Sequence, residues 1–175
     1  SLADNPVHKS LAALADLVSM EWDRGDRHFP PTSLQISNVQ AGSGAVNVIP
    51  GSMEVLFNFR YSPQSSAESL QERCRHILDE HGLEYALEWN LSGKPFLTSQ
   101  GQLITAVKKS IHAVTGGDPV LATSGGTSDA RFISPAGAEV VELGPINSTI
   151  HKANECVSLQ ELDQLSEIYR NILQD

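Results

Sequence analysis

The feature that most constrains the fold is a run in which every second residue is apolar. Its apolar members are Met53, Val55, Phe57, Phe59 and Tyr61. A period of two residues is typical of a β-strand that buries one face and exposes the other. A second run of this kind has its apolar members at Leu83, Tyr85, Leu87, Trp89 and Leu91. The sequence therefore predicts two strands, and the alternation around Leu34 and Ile36 predicts a further strand that ends near Asn38.

Two amphipathic helices are predicted beside these strands. The first covers 6–25, because proline suits the first helical position and glycine ends a helix. The second covers 66–81 and begins with a capping box of Ser65 and Glu68. Cys74 lies on its apolar stripe and is predicted to be a buried core thiol. The order helix, strand, strand, helix, strand matches a ferredoxin-like βαββαβ unit that lacks its first strand.

The second half of the chain has a different pattern. The glycine- and proline-containing segment 92–95 is the best candidate for a domain boundary. After it, apolar spacing predicts helices over 103–115 and 159–172. A short strand is predicted near 120–122, and the nearly continuous apolar run 139–143 predicts a buried strand of an α/β sheet. We therefore expect an α/β protein: an α+β unit over the first 94 residues, then an α/β remainder.

The composition argues against several classes of partner. The formal net charge is −9, which disfavours nucleic acid and anionic membranes. No apolar run approaches the roughly 18 residues needed to span a bilayer, and no signal peptide is visible. The two cysteines, Cys74 and Cys156, make no disulfide framework and fit a reducing, cytoplasmic compartment. Because the sequence opens with Ser1 instead of Met, we expect it to be part of a longer chain.

Two polar, glycine-marked loops flank the run 139–143. In the first loop, Gly125 and Gly126 carry no Cβ, so the backbone can approach a ligand closely. Ser128 or Asp129 can cap a short helix that follows, an arrangement that favours a bound carboxylate or phosphate.

The second loop presents Asn147 and His151 directly after a predicted strand. A histidine in that position is a candidate metal ligand or proton-transfer group. Taken singly, a Gly-Gly pair is more often an ordinary turn, and a loop histidine is more often solvated.

Together the loops resemble the succinyl-diaminopimelate desuccinylase family, a branch of the zinc-dependent amidohydrolases that include acetylornithine deacetylases and aminoacylases. The segments that carry the resemblance are GGTSDARF, ELGPINSTIHKANE, FPPTSLQISNVQAGSGAVNVIPG, FNFRYS and EWNLSGKPFLT. The similarity runs over essentially the whole chain, but only to the C-terminal half of such an enzyme. It implies that 1–94 is the family's lid or dimerisation domain, incomplete at its N-terminus, and that 95–175 is the C-terminal part of the catalytic domain. It also implies a homodimer formed through the lid.

The resemblance further implies roles for six residues. His151 matches a ligand of one of two zinc ions, and Arg60 matches an arginine that binds a substrate carboxylate. The other substrate-binding residues that it implies are Asn47, Gly126, Thr127 and Asn147. Considered without the resemblance, Arg60 is a solvated edge charge and Asn47 is an ordinary turn residue.

Most of the family's metal ligands have no counterpart in this sequence. No histidine is followed two residues later by aspartate, and no Glu-Glu pair occurs. Zinc sites need three or four ligands, so His151 alone cannot hold the ion usefully. We therefore expect the general base to lie outside this chain, and the chain alone to be inactive.

The leading hypothesis is that the chain is a fragment of a zinc-dependent desuccinylase. Such an enzyme hydrolyses N-succinyl-LL-2,6-diaminopimelate to succinate and LL-2,6-diaminopimelate, a step of lysine and diaminopimelate biosynthesis. One alternative is a different N-acyl amino acid deacylase. The other is a dimerisation and substrate-binding module without catalysis, which the absent ligand motifs favour for the 175 residues as they stand.

Overall fold

The computed structural model describes residues 4–98, 100–123, 128–146 and 148–174. The chain divides into two compact units, Ser1–Pro95 and Phe96–Asp175. The elements of the first unit are α1 (Pro6–Ser19), β1 (Ser33–Ala41), β2 (Met53–Arg60) and α2 (Ala67–Glu80). Those of the second are α3 (Gln102–Thr115), α4 (Ala130–Ile133), a 3-10 turn (Ser134–Ala136) and α5 (Leu159–Gln174). The mixed α/β class that the sequence predicted is confirmed.

The first unit is built on an antiparallel pair of strands. β1 and β2 pair with Leu34 opposite Phe59, and the register shifts at Ser37, the one residue that β1 inserts between Ile36 and Asn38. Along β2, half-buried and exposed residues alternate from end to end, as the sequence predicted. Because the bulge lies in β1, it leaves the alternation of β2 undisturbed.

Two helices cover the apolar face of this sheet. The residues of the resulting core are Ala13, Leu17, Trp22, Leu34, Leu70, Cys74, Ile77 and Leu78. The ring of Trp22 meets the ring of Phe59 edge-on, with centroids 4.6 Å apart. Cys74 is fully buried, which confirms the predicted core thiol, and burial raises its pKa to about 11. That thiol is therefore unreactive at neutral pH.

The ends of the two helices differ in detail from the prediction. The helix begins at Pro6 as expected, and the side chain of Asn5 caps it by accepting a hydrogen bond from the Val7 N–H at 3.0 Å. The helix ends at Ser19, however, so the predicted extension to residue 25 is wrong. The capping box of α2 is formed by Ser66 and Ser69, and not by Ser65 and Glu68. At α2 the predicted cap is displaced because the Ser65 hydroxyl donates to Asp23 instead.

Asp23 ties three segments of the first unit together. Its Oδ1 accepts hydrogen bonds from the backbone N–H groups of Gly25 (2.8 Å) and Thr32 (2.9 Å). Its Oδ2 accepts from the hydroxyls of Thr32, Ser62 (3.1 Å) and Ser65 (2.6 Å). These donors come from the segment after α1, from the residue just before β1, and from the segment between β2 and α2. The Ser65 hydroxyl is therefore engaged with Asp23, and Ser66 caps the helix instead.

The environment of Asp23 keeps its carboxylate ionised. Burial by itself would raise the pKa, but the hydrogen bonds from Ser65, Thr32 and Gly25 outweigh it and hold the pKa of Asp23 well below its usual range. The turn that presents Asp23 also requires glycine at position 25. Gly25 has φ 64°, and a Cβ there would lie 2.3 Å from the carbonyl oxygen of Phe29.

Three predicted strands are wrong, because residues 83–91, 120–122 and 139–143 are not strands in the structure. A strand is defined by its hydrogen-bonded neighbour, and within the described ranges these segments have none. The alternation still reports burial in the first case, because Leu83, Leu87 and Trp89 pack against the core.

The second unit has its own helix contact, in which α3 packs against α5. The buried residues of these helices are Ile104, Val107, Ser110 and Ile168. α3 ends as predicted, at Gly116 in the left-handed conformation with φ 73°. None of the helices in the described part of the chain has the length and apolar character needed to cross a membrane.

Glu139 takes the place of a missing N-cap side chain at α3. The cap residue is Gly101, which has no side chain, and the Glu139 carboxylate accepts a hydrogen bond from the Leu103 N–H at 2.9 Å. A Cβ on Gly101 would lie 1.6 Å from Oε1 of Glu139. The helix start and the segment after the 3-10 turn are therefore joined through a carboxylate.

Candidate functional site

The loop that follows residue 147 places His151 in an unusual backbone conformation. The Lys152 N–H donates to the Thr149 carbonyl at 3.1 Å, so residues 149–152 form a turn with His151 at its third position. His151 has φ 61° and Asn154 has φ 62°, and they are the non-glycine residues with positive φ in the described ranges. Glycine adopts this region freely, whereas any residue with a Cβ does so at a cost, although asparagine and histidine are found there more often than most. The His151 side chain is exposed.

A single hydroxyl closes this loop. The hydroxyl of Thr149 donates to the Cys156 carbonyl at 2.8 Å and accepts from the Cys156 N–H at 3.1 Å. The ammonium of Lys152 donates to the Ser148 carbonyl at 2.7 Å. The turn that carries His151 is thus tied at its base, and its residues are otherwise largely exposed.

The other loop is described only from residue 128 onward. The Ser128 hydroxyl accepts from the Ala130 N–H at 3.0 Å and donates to the carboxylate of Glu142. This confirms Ser128 as the side chain that caps the short helix α4. Asp129 occupies the cap position but makes no capping hydrogen bond through its side chain.

A cavity of about 920 Å³ is bordered by parts of both loops. Its polar lining includes Ser128, Glu142, Thr149, Glu155 and Tyr169. Tyr169 lies on α5, and its hydroxyl donates to the Leu143 carbonyl at 2.5 Å, so the helix is joined to the loop segment. No sequence signal predicts this role, because Tyr169 falls outside the predicted apolar stripe of α5 and no local motif marks it.

The six residues with implied roles are placed unequally. Gly126, Thr127 and Asn147 lie outside the described residues. His151 belongs to the second unit, while Arg60 and Asn47 belong to the first. Arg60 is the last residue of β2 and is exposed on the face away from the core, as the alternation predicted. Asn47 is exposed in the connection between β1 and β2.

Arg60 faces solvent, and no described residue serves as its counter-ion. It stands opposite Ser33 in the sheet register, and within the described ranges it forms no ion pair. The guanidinium is therefore free to bind an external carboxylate, and its position at a strand end gives it a rigid base.

The described residues offer part of a metal site at most. They contain no group of three or more His, Cys, Asp or Glu side chains close enough to hold a metal ion. His151 fits as a single ligand, since its imidazole is exposed and makes no hydrogen bond to another described residue. The chain's donor set is thus one imidazole, which does not make a complete site.

Comparison with known proteins found relatives along nearly the whole chain. Residues 1–86 match the peptidase dimerisation domain of the M20 family. The chain is 59% identical to a succinyl-diaminopimelate desuccinylase of Alkalilimnicola ehrlichii, over 98% of the chain and 46% of that protein. It is 56% identical to a succinyl-diaminopimelate desuccinylase of Thioalkalivibrio sulfidiphilus, with the same two coverages.

Solved structures agree on the fold. Aminopeptidase PepT from Bacillus cereus matches with a TM-score of 0.70 and 22% identity, over 97% of the chain and 45% of that protein. The M20 family metallo-carboxypeptidase Sso-CP2 from Sulfolobus solfataricus matches with a TM-score of 0.59 and 14% identity, over 99% and 42%. The chain spans about half the length of the curated relatives it matches. Residues 1–86 are thus similar to the M20 peptidase dimerisation domain, and nearly the whole chain is similar to part of the succinyl-diaminopimelate desuccinylases.

Proposed function

We propose that the complete protein is a metal-dependent amide hydrolase that cleaves N-succinyl-LL-2,6-diaminopimelate. The observation that carries this proposal is the 59% identity to a desuccinylase along 98% of the chain. In the reaction, water adds to the amide carbonyl carbon and the C–N bond breaks. The succinyl group leaves as succinate, and the nitrogen takes a proton to become the free amine of LL-2,6-diaminopimelate.

Zinc is the metal that we propose, with two ions in the active site of the complete protein. Bound zinc would polarise the amide carbonyl and lower the pKa of water. This chain would supply His151 to one of the two ions, because that imidazole is exposed and unpaired among the described residues. The remaining ligands and the general base would come from the part of the relatives that this chain does not match.

The chain's own residues would mainly recognise the substrate. Arg60 would bind a substrate carboxylate, since its guanidinium is exposed and without a counter-ion within the described ranges. Gly126, Thr127 and Asn147 would hydrogen-bond the succinyl or amino-acid end, and Asn47 would bind from the first unit. A guanidinium suits this role because it can hold both carboxylate oxygens in one plane.

The first unit would also form a homodimer. β1 and β2 are each paired on one side only among the described residues, and an open strand edge favours pairing with a second copy. The similarity of residues 1–86 to a peptidase dimerisation domain supports the same proposal. Sedimentation of the chain at tens of micromolar tests it, and a purely monomeric profile would exclude it.

We place the protein in the cytoplasm, consistent with its two free thiols, Cys74 and Cys156.

The substrate assignment is tested on the full-length protein. Release of free amine is measured with zinc present from N-succinyl-LL-2,6-diaminopimelate and from N-acetylated amino acids. The proposal expects kcat/KM to be largest for the succinylated substrate. A preference for an acetylated amino acid would identify a different N-acyl amino acid deacylase, and no hydrolysis of either would leave only a dimerisation and binding module.

A further inference from the structure

We infer that Thr149 is a positioning residue for His151, holding the turn from which the imidazole projects. The inference rests on the proposed function, in which His151 is a metal ligand. Two adjacent observations support it: the strained backbone of the turn, and the single hydroxyl that ties both of its ends. Nothing in the sequence motif distinguishes Thr149 from its neighbours, because the inference depends on its hydrogen bonds.

The turn holds two non-glycine residues in a backbone conformation that such residues adopt rarely. His151 and Asn154 both have φ near 60°, in the left-handed region that side chains with a Cβ disfavour. A backbone of this kind persists only when the surrounding structure fixes it. Packing contributes little to fixing this backbone, because residues 151–160 are all exposed. Hydrogen bonds therefore have to supply the constraint.

The Thr149 hydroxyl supplies most of that constraint. It uses its one proton to donate to the Cys156 carbonyl at 2.8 Å, and a lone pair to accept from the Cys156 N–H at 3.1 Å. One side chain thus pairs with both polar groups of a residue seven positions away. Together with the bond from Lys152 N–H to the Thr149 carbonyl at 3.1 Å, it closes the loop on either side of His151.

Metal binding is sensitive to this kind of support. A ligand must stay within a few tenths of an ångström of its coordination distance, so a loop that samples more positions holds the ion less tightly. Loss of a group that orients a ligand typically lowers metal affinity by about 10–100-fold. We expect loss of the Thr149 hydroxyl to act in this range on the zinc ion that His151 would bind.

The test measures zinc affinity of the full-length protein by competition with a chromophoric chelator, using zinc ion alone as the probe. Thr149→Val keeps the shape and branching of the side chain but removes its hydrogen bonds. Thr149→Ser keeps the hydroxyl and is the conservative rescue. Ser148→Ala is the matched control, because that hydroxyl has no hydrogen bond to a described residue. His151→Ala identifies which zinc ion is affected.

The expected result is a loss of about 10–100-fold for Thr149→Val at the site that His151→Ala also weakens. The zinc affinities of Thr149→Ser and Ser148→Ala should stay within about threefold of the parent protein's. The melting temperatures of the metal-free variants should match that of the metal-free parent protein. A purely structural role would lower that melting temperature and would not single out one zinc ion.

Three results would overturn the inference. Thr149→Val could bind zinc as tightly as the parent protein while His151→Ala does not, which would leave the proposed function standing. Thr149→Ser could fail as badly as Thr149→Val. Alternatively, Thr149→Val and a second variant, Thr149→Ala, could both unfold, which would make Thr149 a folding residue. If His151→Ala itself left zinc affinity unchanged, the ligand assignment in the proposed function would fail, and the inference with it.

Discussion

Replacing Asp23 with alanine should destabilise the first unit by about 4 kcal/mol, and replacing it with asparagine by about 2 kcal/mol. The carboxylate accepts five hydrogen bonds, two on Oδ1 and three on Oδ2. Each contributes about 0.8 kcal/mol net, less than an isolated bond to a charged group because the carboxylate is only partly buried. Alanine removes all five. Asparagine can keep the two bonds to Oδ1, but it turns an NH₂ group toward three hydroxyls.

Two of those hydroxyls cannot simply reverse their direction. The Thr32 hydroxyl already accepts from the Ser62 N–H at 2.9 Å, and the Ser62 hydroxyl accepts from the Gln64 N–H at 3.2 Å. A donor from asparagine would therefore compete with existing bonds. Asparagine should therefore lose the three bonds to the hydroxyls, although it differs from aspartate by one atom type. Because it keeps the two bonds to Oδ1, we expect it to cost about half as much as alanine.

The depressed pKa of Asp23 adds a pH signature. The unfolded carboxyl has a pKa of about 3.9, and the folded one lies well below its usual range. The stabilisation is therefore fully present above about pH 4 and is lost as the pH falls through the folded pKa. The difference in stability between the parent protein and Asp23→Asn should shrink steadily below pH 4.

Urea unfolding followed by tryptophan fluorescence measures these effects. Both tryptophans, Trp22 and Trp89, lie in the first unit, so the signal reports that unit. Glu88→Gln is the control, since it removes one exposed charge from the same unit. A loss below about 0.5 kcal/mol for Asp23→Asn, or a difference that stays constant from pH 6 to pH 3, would refute the reasoning.

Three further outcomes are expected. Gly101→Ala should destabilise the second unit by about 1–3 kcal/mol, measured by thermal unfolding, because its Cβ would displace Glu139 from the start of α3. Arg60→Ala in the full-length protein should lower kcat/KM, with a loss of transition-state stabilisation on the order of 2–4 kcal/mol and little change in melting temperature. Unchanged kinetics would make Arg60 a solvated edge charge. The 175-residue chain alone should bind zinc weakly and release no amine from the succinylated substrate, and turnover by it would contradict the ligand count.

The sequence predicted the elements whose signals are local. The alternation along β2, the start of α1 at Pro6 and the buried thiol of Cys74 were all found as expected, because each depends on neighbours a few residues away. The end of α1 was wrong, since Trp22 keeps helical spacing while the chain has already turned to present Asp23. No pattern in the sequence reveals that the Asp23 carboxylate accepts hydrogen bonds from residues up to 42 positions away.

The strands failed for a related reason. An apolar run such as 139–143 shows that a segment is suited to a sheet, but pairing requires a neighbouring strand, and the described residues supply none. The candidate site divides in the same way. His151 could be singled out by its resemblance to a metal ligand, whereas Thr149 and Tyr169 act through contacts that only the folded loop creates.

The candidate site of the second unit is shaped by polar bonds more than by a core. Among the described residues, the buried apolar side chains of that unit are Ile104, Val107, Ala130 and Ile168, fewer than half of those in the first unit. Large apolar residues near the loops stay exposed, with Val120 at 90% and Phe132 at 65%. Little apolar burial therefore fixes the loops. Their shape depends on individual bonds, from Ser128 to Glu142 and from Thr149 to Cys156, and removing one of these should alter the site more than trimming a distant core residue would.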